Sequence, residues 1–199
     1  MGKASSKFLK TEINLPLILA LSVLPDIDIL FSFILYHRGP THSILMALLV
    51  FLPFFALYLK KALPYFAAFV QHALIGDYIA GGEVMLFWPL TTQVYGMIIG
   101  MRSPLNVALE GFLFIASTAI MFRTRDLDTF FQHHRSNLIL VIPVFAVLFP
   151  MMFPALANFE FDVPVWLIPF HLFYLIIFSA AILIDIFEHL KFSRLKDKS

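Results

Sequence analysis

Long apolar runs recur along this chain and restrict its fold more than any other feature. Six of them approach or exceed the ~20 residues that an α-helix needs to cross the hydrocarbon core of a bilayer. Hydrophobic residues make up 60% of the 199 and charged residues only 14%, whereas soluble domains carry about 25% charged residues. The sequence therefore predicts an all-α, polytopic transmembrane bundle of about six helices. The six predicted spans are Leu15–Tyr36, Ser43–Leu59, Ala62–Ile79, Pro104–Phe122, Leu138–Ala157 and Pro164–Phe187.

Pro25 interrupts the first of these runs. Proline has no backbone N–H and obstructs the preceding helical turn, so the first helix is predicted to break there. Such a break inside a membrane is tolerated where it is buried in protein or lines a cavity. Without repeats or low-complexity segments, residues 1–199 are predicted to form one integral membrane domain. Residues 1–103 would carry the chemistry, and residues 104–199 would supply supporting helices and a cytoplasmic tail.

The basic residues indicate an orientation. If the six spans alternate in direction, 12 of the 14 Lys and Arg residues fall on one side, and only Arg38 and Arg102 fall on the other. Basic loops remain in the cytoplasm, so both termini are predicted to be cytoplasmic. Segments 37–42, 80–103 and 157–163 would then face outward. The 12 residues are Lys3, Lys7, Lys10, Lys60, Lys61, Arg123, Arg125, Arg135, Lys191, Arg194, Lys196 and Lys198.

Composition also excludes some kinds of site. The chain has no cysteine, so disulfides and thiolate metal ligands are ruled out. Its formal net charge is +1, which gives no bulk reason to expect nucleic-acid binding. The sequence is compatible with a homo-oligomer and does not fix the oligomeric state.

Ionisable side chains inside the predicted spans are the main functional signal, because such groups are costly in a bilayer and usually mark function. Under the predicted topology all of them lie in the middle or outer half of their helices. Asp and His without Cys form a ligand set for zinc or another first-row divalent metal. A bound cation would neutralise carboxylates that are otherwise very unfavourable in a membrane. The residues are Asp26, Asp28, His72, Asp77, Glu110 and His171, next to the loop that carries His37 and His42.

The spacing of these residues restricts how they can meet. Asp26 and Asp28 point to different faces of an ideal helix, but the break at Pro25 would allow both to face one site. His72 and Asp77 converge only if the end of the helix loosens, for which Gly76 is suited. Gly39-Pro40 reads as a turn that brings His37 and His42 together.

Three sequence elements resemble those of a known family. Leu24-Pro25-Asp26-Ile27-Asp28 resembles an LPDxD element, and residues 37–43, HRGPTHS, resemble an HRGxTHS element. The stretch from His72 to Asp77, followed by Gly82 and residues 86–90, LFWPL, resembles H-x-x-x-D…G…LWPL, although its His-to-Asp interval is one residue longer. These elements are similar to those of the membrane-bound metal-dependent hydrolases, the YdjM-like family of LexA-binding, inner-membrane-associated hydrolases. The resemblance covers roughly residues 15–95.

The resemblance implies an integral membrane protein with a metal-dependent hydrolase site, distantly linked to zinc-dependent phospholipase C and P1-type nucleases. On that basis Asp28, His42, His72 and Asp77 would be metal ligands, with Asp26 and His37 next. Each has a plainer structural alternative: the aspartates could cap helices, and the histidines could hydrogen-bond across helices or lie in an interfacial loop.

The favoured hypothesis is a zinc-dependent hydrolase, with manganese as the alternative metal, that cleaves a phosphoester of a lipid or lipid-linked substrate at the outer leaflet. Arg38 is the expected phosphate clamp, since Arg matches phosphate geometry, and Asp26 and Glu110 are candidate catalytic carboxylates. Glu110 could instead pair with Arg38 or Arg102. A membrane metal-binding protein or transporter without hydrolytic activity is the alternative. A non-catalytic scaffold is a third, but it leaves the intramembrane Asp and His residues unexplained.

Overall fold

The computed structural model describes residues 2–31, 33–97, 99–100, 102–153 and 163–196. Over these residues the chain is helical, and the β-structure found there is one isolated antiparallel bridge between Val84 and Tyr95. This confirms the predicted all-α class. The chain divides into two compact units, Met1–Glu110 and Gly111–Ser199.

The first unit contains four α-helices and the start of a fifth. They are α1 (Gly2–Leu9), α2 (Leu15–Val23), α3 (Ile44–Tyr58), α4 (Leu63–Gln71) and α5 (Pro104–Arg123), which continues into the second unit. The unit also contains three tighter 3₁₀ segments: Leu24–Phe31 after α2, Pro40–His42 before α3 and Leu59–Lys61 after α3. A wider π-helix, His72–Gly81, follows α4.

The second unit has shorter helical pieces and one long helix. Two 3₁₀ segments, Asp126–Phe131 and Arg135–Leu140, precede α6 (Val141–Pro143), a π segment (Val144–Leu148) and α7 (Phe149–Met152). A 3₁₀ turn, Val165–Leu167, then leads into α8 (Ile168–Lys196). Tyr174 on α8 lies with its hydroxyl 2.8 Å from that of Thr118, and Phe130 packs on Phe178 with ring centroids 5.4 Å apart.

Among the described residues, four stretches are long and apolar enough to cross a membrane by length and composition: Ile44–Lys61, Pro104–Arg123, Arg135–Met152 and Val165–Lys191. They correspond to the second, fourth, fifth and sixth predicted spans. The first and third predicted spans are not among these four. The first is helical from Leu15 to Phe31 and changes to 3₁₀ geometry at Leu24, and the third changes to π geometry at His72. Residues 154–157 of the fifth predicted span lie outside the described residues.

The surface of α3 shows why this fold needs a lipid surrounding. Leu49, Val50 and Leu52 are exposed, although Ala47 and Phe51 of the same helix are buried. A helix that is apolar on its outer face as well as its inner face would be poorly solvated in water. The chain is therefore a helical membrane protein.

Helices α2 and α4 run side by side in the same direction. At their starts, the backbone N–H of Asn14 donates to the hydroxyl of Tyr65 over 2.9 Å. At their ends, Nδ1 of His72 lies 3.0 Å from the carbonyl oxygen of Ser22. The Asn14 side chain caps α2 by accepting from the N–H of Leu17. This parallel packing brings the 3₁₀ segment after α2 beside the π-helix after α4.

Ser43 fixes the start of α3. Its Oγ accepts from the N–H of Met46 and donates to the carbonyl oxygens of Leu86 and Trp88, at 3.1 and 2.8 Å. The N–H of Ile44 also donates to Leu86, over 3.0 Å. The loop after the π-helix is thus attached to residues 37–43, so two of the sequence elements that define the resemblance are in contact.

Candidate metal centre

Four acidic and histidine side chains of the first unit bring ligand atoms to one point. Oδ1 of Asp26 lies 3.3 Å from Nε2 of His42 and 3.1 Å from Nε2 of His72. Oδ2 of Asp77 lies 3.4 Å from the same atom of His42 and 3.7 Å from that of His72. We call Asp26, His42, His72 and Asp77 the central cluster. Each of its members is buried except His72, which is half-buried.

The hydrogen bonds at Nδ1 fix how the two central imidazoles are oriented. Nδ1 of His72 faces the carbonyl oxygen of Ser22, which can only accept, so Nδ1 carries a proton. Nδ1 of His42 lies 3.0 Å from the hydroxyl of Thr41 and 3.3 Å from Oδ2 of Asp28. Both rings therefore present Nε2 towards the carboxylates. A metal-binding histidine typically uses its second nitrogen in this way.

Asp28 lies on the other side of His42. Its side chain is 0% exposed, and Oδ2 accepts from the Thr41 hydroxyl at 2.7 Å and from the backbone N–H of Arg38 at 3.3 Å. Its other oxygen lies 2.9 Å from Nδ1 of His37. Asp28, His37 and His42 form a second group whose ligand atoms are mutually close. His42 belongs to both groups, with Nε2 in the central cluster and Nδ1 against Asp28.

The π-helix explains how His72 and Asp77 reach the same point. An α-helix places residues five apart on different faces, whereas a π-helix bonds residue i to i+5 and brings residues five apart close together. The spacing alone predicts that they converge through a loosened helix end at Gly76. Instead, the whole segment His72–Gly81 winds as a π-helix, and the N–H of Gly82 closes it on the carbonyl of Asp77 at 2.7 Å.

The predicted turn at Gly39-Pro40 brings the imidazoles of His37 and His42 to a centroid separation of 5.3 Å. A Cβ at Gly39 would lie 2.7 Å from the carbonyl oxygen of Tyr36, so only glycine fits there. The two aspartates of the 3₁₀ segment point to opposite edges of His42 rather than to one shared point: Asp26 meets Nε2 and Asp28 meets Nδ1.

The central cluster requires a positive charge. With Nδ1 protonated, a neutral His42 or His72 presents a lone pair at Nε2 to a carboxylate about 3 Å away, and two acceptors repel. Oδ2 of Asp77 is buried and accepts no hydrogen bond. Burial by itself would lower the pKa of His42, but hydrogen bonds to Asp26 and Asp28 and the charge of Asp77 raise that pKa to about 9. Either a proton or a metal cation satisfies these four atoms.

The separations also suit a metal. Zn²⁺ bound tetrahedrally at about 2.0–2.1 Å holds neighbouring ligand atoms about 3.3 Å apart. The four measured separations in the central cluster run from 3.1 to 3.7 Å. Asp26, His42 and His72 form a group that can hold a metal ion, as do Asp28, His37 and His42. The donor set of Asp26, His42 and His72 therefore fits a divalent cation, and Asp77 lies close enough to both histidines to be a fourth candidate ligand.

Arg38 borders the cluster. Its Nε lies 3.1 Å from Oδ1 of Asp77, and its side chain is 17% exposed. Its backbone adopts the left-handed region, with φ of +62°, which is uncommon for a residue other than glycine. Hydrogen bonds on both sides hold that conformation: its N–H donates to Asp28 and its carbonyl accepts from the N–H of Met85.

The remaining predicted site residue, Glu110, is not part of the cluster. Oε1 of Glu110 accepts from Nδ2 of Asn106 over 2.6 Å, and no described hydrogen bond or ion pair joins it to the Asp and His residues above. Sequence reasoning missed the carbonyl of Ser22, and no sequence signal could have revealed a backbone group.

A further Asp–His contact lies in the second unit, between a buried Asp185 and a largely exposed His133. Asp185 is 2% exposed, and its Oδ1 lies 2.8 Å from Nδ1 of His133. The same oxygen accepts from the N–H of His134 over 2.8 Å. The 3₁₀ segments Asp126–Phe131 and Arg135–Leu140 pack against α8, so Asp185 is buried, while the side chain of His133 stays 40% exposed.

Comparison with known proteins gives one match. The family model described as YdjM inner membrane protein matches residues 1–161 of the chain, a range that contains all the residues of both groups. Among curated proteins and among solved structures, nothing matches.

Proposed function

The chain belongs to the YdjM inner membrane protein family, and from that premise we propose that it is a membrane-embedded, metal-dependent hydrolase. Its substrate would be a phosphoester of a lipid or lipid-linked molecule. The observation that carries the proposal is the central cluster, in which two oriented imidazoles and two carboxylates converge and need either a proton or a metal cation between them.

In this proposal Asp26, His42, His72 and Asp77 hold the cation, with zinc the expected metal and manganese the alternative. When bound, the cation supplies Lewis acidity, which polarises a phosphoryl oxygen and lowers the pKa of water. Asp28 serves as a positioning residue. It keeps the proton of His42 on Nδ1 and so leaves Nε2 free for the cation, as second carboxylates do in many zinc sites.

Arg38 and His37 act on the substrate. Asp77 orients the guanidinium of Arg38, which binds a phosphoryl oxygen. His37 is the most exposed histidine of the two groups, with 29% of its side chain accessible, and Asp28 holds its Nδ1. Its Nε2 can then carry a proton to the leaving oxygen. A P–O bond forms to water while the P–O bond to the leaving alcohol breaks.

We place the site towards the outer face of the membrane. The span Ile44–Lys61 begins two residues after His42 and ends at Lys60 and Lys61, so the cluster and these lysines lie at opposite ends of a membrane-crossing helix. Basic turns remain cytoplasmic, and both termini would be on that side too. Because the chain has no native cysteine, single cysteines at Lys60 and Gln93 can test this. In intact spheroplasts an impermeant maleimide should label only the cysteine at Gln93; the reverse pattern would place the site inside.

The first test is elemental analysis of the detergent-purified protein with an assay on bis(p-nitrophenyl) phosphate. Wild type should retain about one or more zinc or manganese ions per chain and should hydrolyse the ester. His42→Ala removes the residue shared by both groups and should lower metal affinity by more than about 100-fold, since even indirect partners of ligands contribute 10–100-fold.

The matched control is His133→Gln, which removes a histidine from the Asp–His contact of the second unit. This variant should keep wild-type metal content and turnover. Metal in the wild type without hydrolysis of any phosphoester would favour the alternative, a membrane metal-binding protein or transporter. Turnover that survives complete chelation would reject the metal-dependent mechanism.

A further inference from the structure

A cavity of about 600 Å³ lies within the first unit, between α2, α3 and α4. Its volume is within the ~300–1,000 Å³ that is typical of small-molecule sites. None of the residues of the two Asp/His groups lines it. Most of its wall is apolar: Leu17, Leu21 and Leu24 come from α2 and its 3₁₀ extension, Val50, Phe51 and Phe54 from α3, and Phe69 from α4.

The two ends of this cavity differ in polarity. Glu12, Tyr58, Lys61 and Tyr65 line one end, where α2 and α4 start and α3 finishes. The other end is formed by Leu24 and Phe69. Leu24 precedes Asp26 by two residues, and Phe69 precedes His72 by three. The rise per residue is ~2.0 Å in a 3₁₀ segment and ~1.5 Å in an α-helix. Measured along the helix axes, Leu24 therefore lies about 4 Å from Asp26, and Phe69 lies about 4–5 Å from His72.

The cavity is also open on one side. Val50, Phe54 and Tyr58 are each about half exposed, whereas Phe51 behind them is 6% exposed. The face of α3 at this opening is apolar and exposed, as a lipid-facing surface is. A chain can therefore enter sideways from the bilayer without crossing water.

We propose that this cavity binds the hydrocarbon chain of a single-chain lipid phosphate whose phosphate lies at the central cluster and Arg38. This inference rests on the proposed function and adds a substrate class to it. A lipid with its headgroup at the outer face directs its chain towards the bilayer midplane, which is the direction in which the cavity runs from Leu24 towards Tyr58.

The length of the cavity sets the length of the chain. Leu17 and Leu24 are about 10 Å apart along the helix axis. The distance from Leu24 to the central cluster adds about 4–5 Å. An extended hydrocarbon chain advances about 1.3 Å per bond, so about 10–12 carbon atoms reach from the cluster to the polar end. Longer chains would extend beyond Tyr58 and should gain nothing further from the protein.

A photo-crosslinking experiment tests the site without requiring turnover. The probe is dodecyl phosphate with a diazirine on its last carbon, added to the protein in phosphatidylcholine nanodiscs. Labelling should saturate at one probe per chain and should map to peptides that contain Leu17, Tyr58 or Tyr65. Labels near Asp26, or loss of labelling in Lys61→Gln, would place the phosphate at the opposite end and overturn the proposal.

Two neighbouring residues of α3 supply a matched pair of variants. Val50 and Leu49 are 55% and 49% exposed, and only Val50 lines the cavity. Val50→Trp should fill the cavity and reduce labelling at least about tenfold, whereas Leu49→Trp should not change it. Both variants leave the cluster intact, so both should retain wild-type metal content. Equal labelling of the two would show that the chain binds elsewhere.

Turnover gives an independent comparison. Methyl and dodecyl p-nitrophenyl phosphate share one leaving group: water adds to phosphorus, the P–O bond to nitrophenol breaks, and alkyl phosphate and p-nitrophenol are released. Wild type should prefer the dodecyl ester by about tenfold or more in kcat/KM, because remote binding energy lowers the barrier. Val50→Trp should lose this preference, whereas Leu49→Trp should keep it. No hydrolysis of either ester would reject the proposed function; equal hydrolysis of both would reject only the cavity.

Discussion

Among the described residues, each unit has a buried aspartate in contact with histidine, and the two arrangements differ in what their atoms still require. In the second unit, Asp185 faces one imidazole nitrogen and one backbone N–H, and both can donate to it. In the first unit, Asp26 faces Nε2 of two imidazoles whose Nδ1 atoms are already engaged. Oδ1 of Asp185 therefore meets donors, whereas Oδ1 of Asp26 needs a proton or a cation between it and the two imidazoles. The second oxygens do not separate the two arrangements, because Oδ2 of Asp185 and Oδ2 of Asp77 are both buried without a hydrogen-bond partner in the part of the chain that the structure describes.

Burial does not separate the two arrangements. Asp26 is 8% exposed and Asp185 is 2% exposed, so both carboxylates are buried. What differs is the balance of donors and acceptors. A carboxylate oxygen that meets donors is satisfied by them, and one that meets further acceptors needs a proton or a metal cation between them. Counting donors at each atom is therefore more informative than counting acidic and histidine residues.

The largest expected difference between the two units is in metal affinity, when Asp28 of the first unit and Asp185 of the second unit are each replaced by asparagine. Asp28→Asn removes the charge that orients His42, and metal affinity should fall about 10–100-fold, as it does when other second carboxylates are lost. Asp185→Asn should leave metal affinity unchanged. Competition with a chromogenic chelator measures both affinities, and circular dichroism checks that each variant keeps its helix content.

Equal loss of metal in the two variants would show that the arrangements are not distinct in the way proposed. Asp185→Asn should instead lower the thermal stability of the protein. A hydrogen bond to a charged group contributes about 1.5–3 kcal/mol, and Asp185 accepts two of them.

A smaller effect concerns protons. With the pKa of His42 raised to about 9, the metal-free cluster holds a proton at neutral pH, and a cation must displace it. Apparent metal affinity should therefore rise by up to about tenfold per pH unit and level off above about pH 9. The raised pKa also means that His42 stabilises the metal-free fold fully below pH 6.5 and loses that contribution as the pH approaches 9.

Titration of zinc at pH 6, 7, 8 and 9 measures this dependence, and thermal melts with and without zinc measure the stability change. A zinc affinity that does not change between pH 6 and 8 would mean that His42 carries no proton to displace. That result would mean that the central cluster, like the Asp185 contact, has no proton that a cation must displace.

Where the apolar runs are uninterrupted, the sequence predicts the fold closely. The second predicted span, Ser43–Leu59, is found as α3 (Ile44–Tyr58), and the fourth, Pro104–Phe122, as α5 (Pro104–Arg123). The break at Pro25 was also predicted from its missing N–H. The π geometry after His72 was not, because it depends on how the end of α4 packs against α2, which hydropathy does not report.

For the site, the sequence supplied the residue types and the structure supplied their arrangement. Asp26, Asp28, His37, His42, His72 and Asp77 were singled out by their positions, and all six lie together. Which nitrogen of His42 meets which carboxylate could not be read from spacing, since it depends on the Thr41 hydroxyl and on helix pairing. Glu110 was singled out for the same reason, as an ionisable residue within a predicted span, but it accepts a hydrogen bond from Asn106, one turn earlier on the same helix.

The π-helix at His72–Gly81 has a consequence for how related chains are recognised. A π turn accommodates one extra residue within a helix while the helix on either side continues. A histidine and an aspartate four apart in an α-helix, and a pair five apart in a π-helix, can therefore present equivalent atoms to one cation. A search pattern that fixes the interval between His72 and Asp77 would separate chains whose sites are the same.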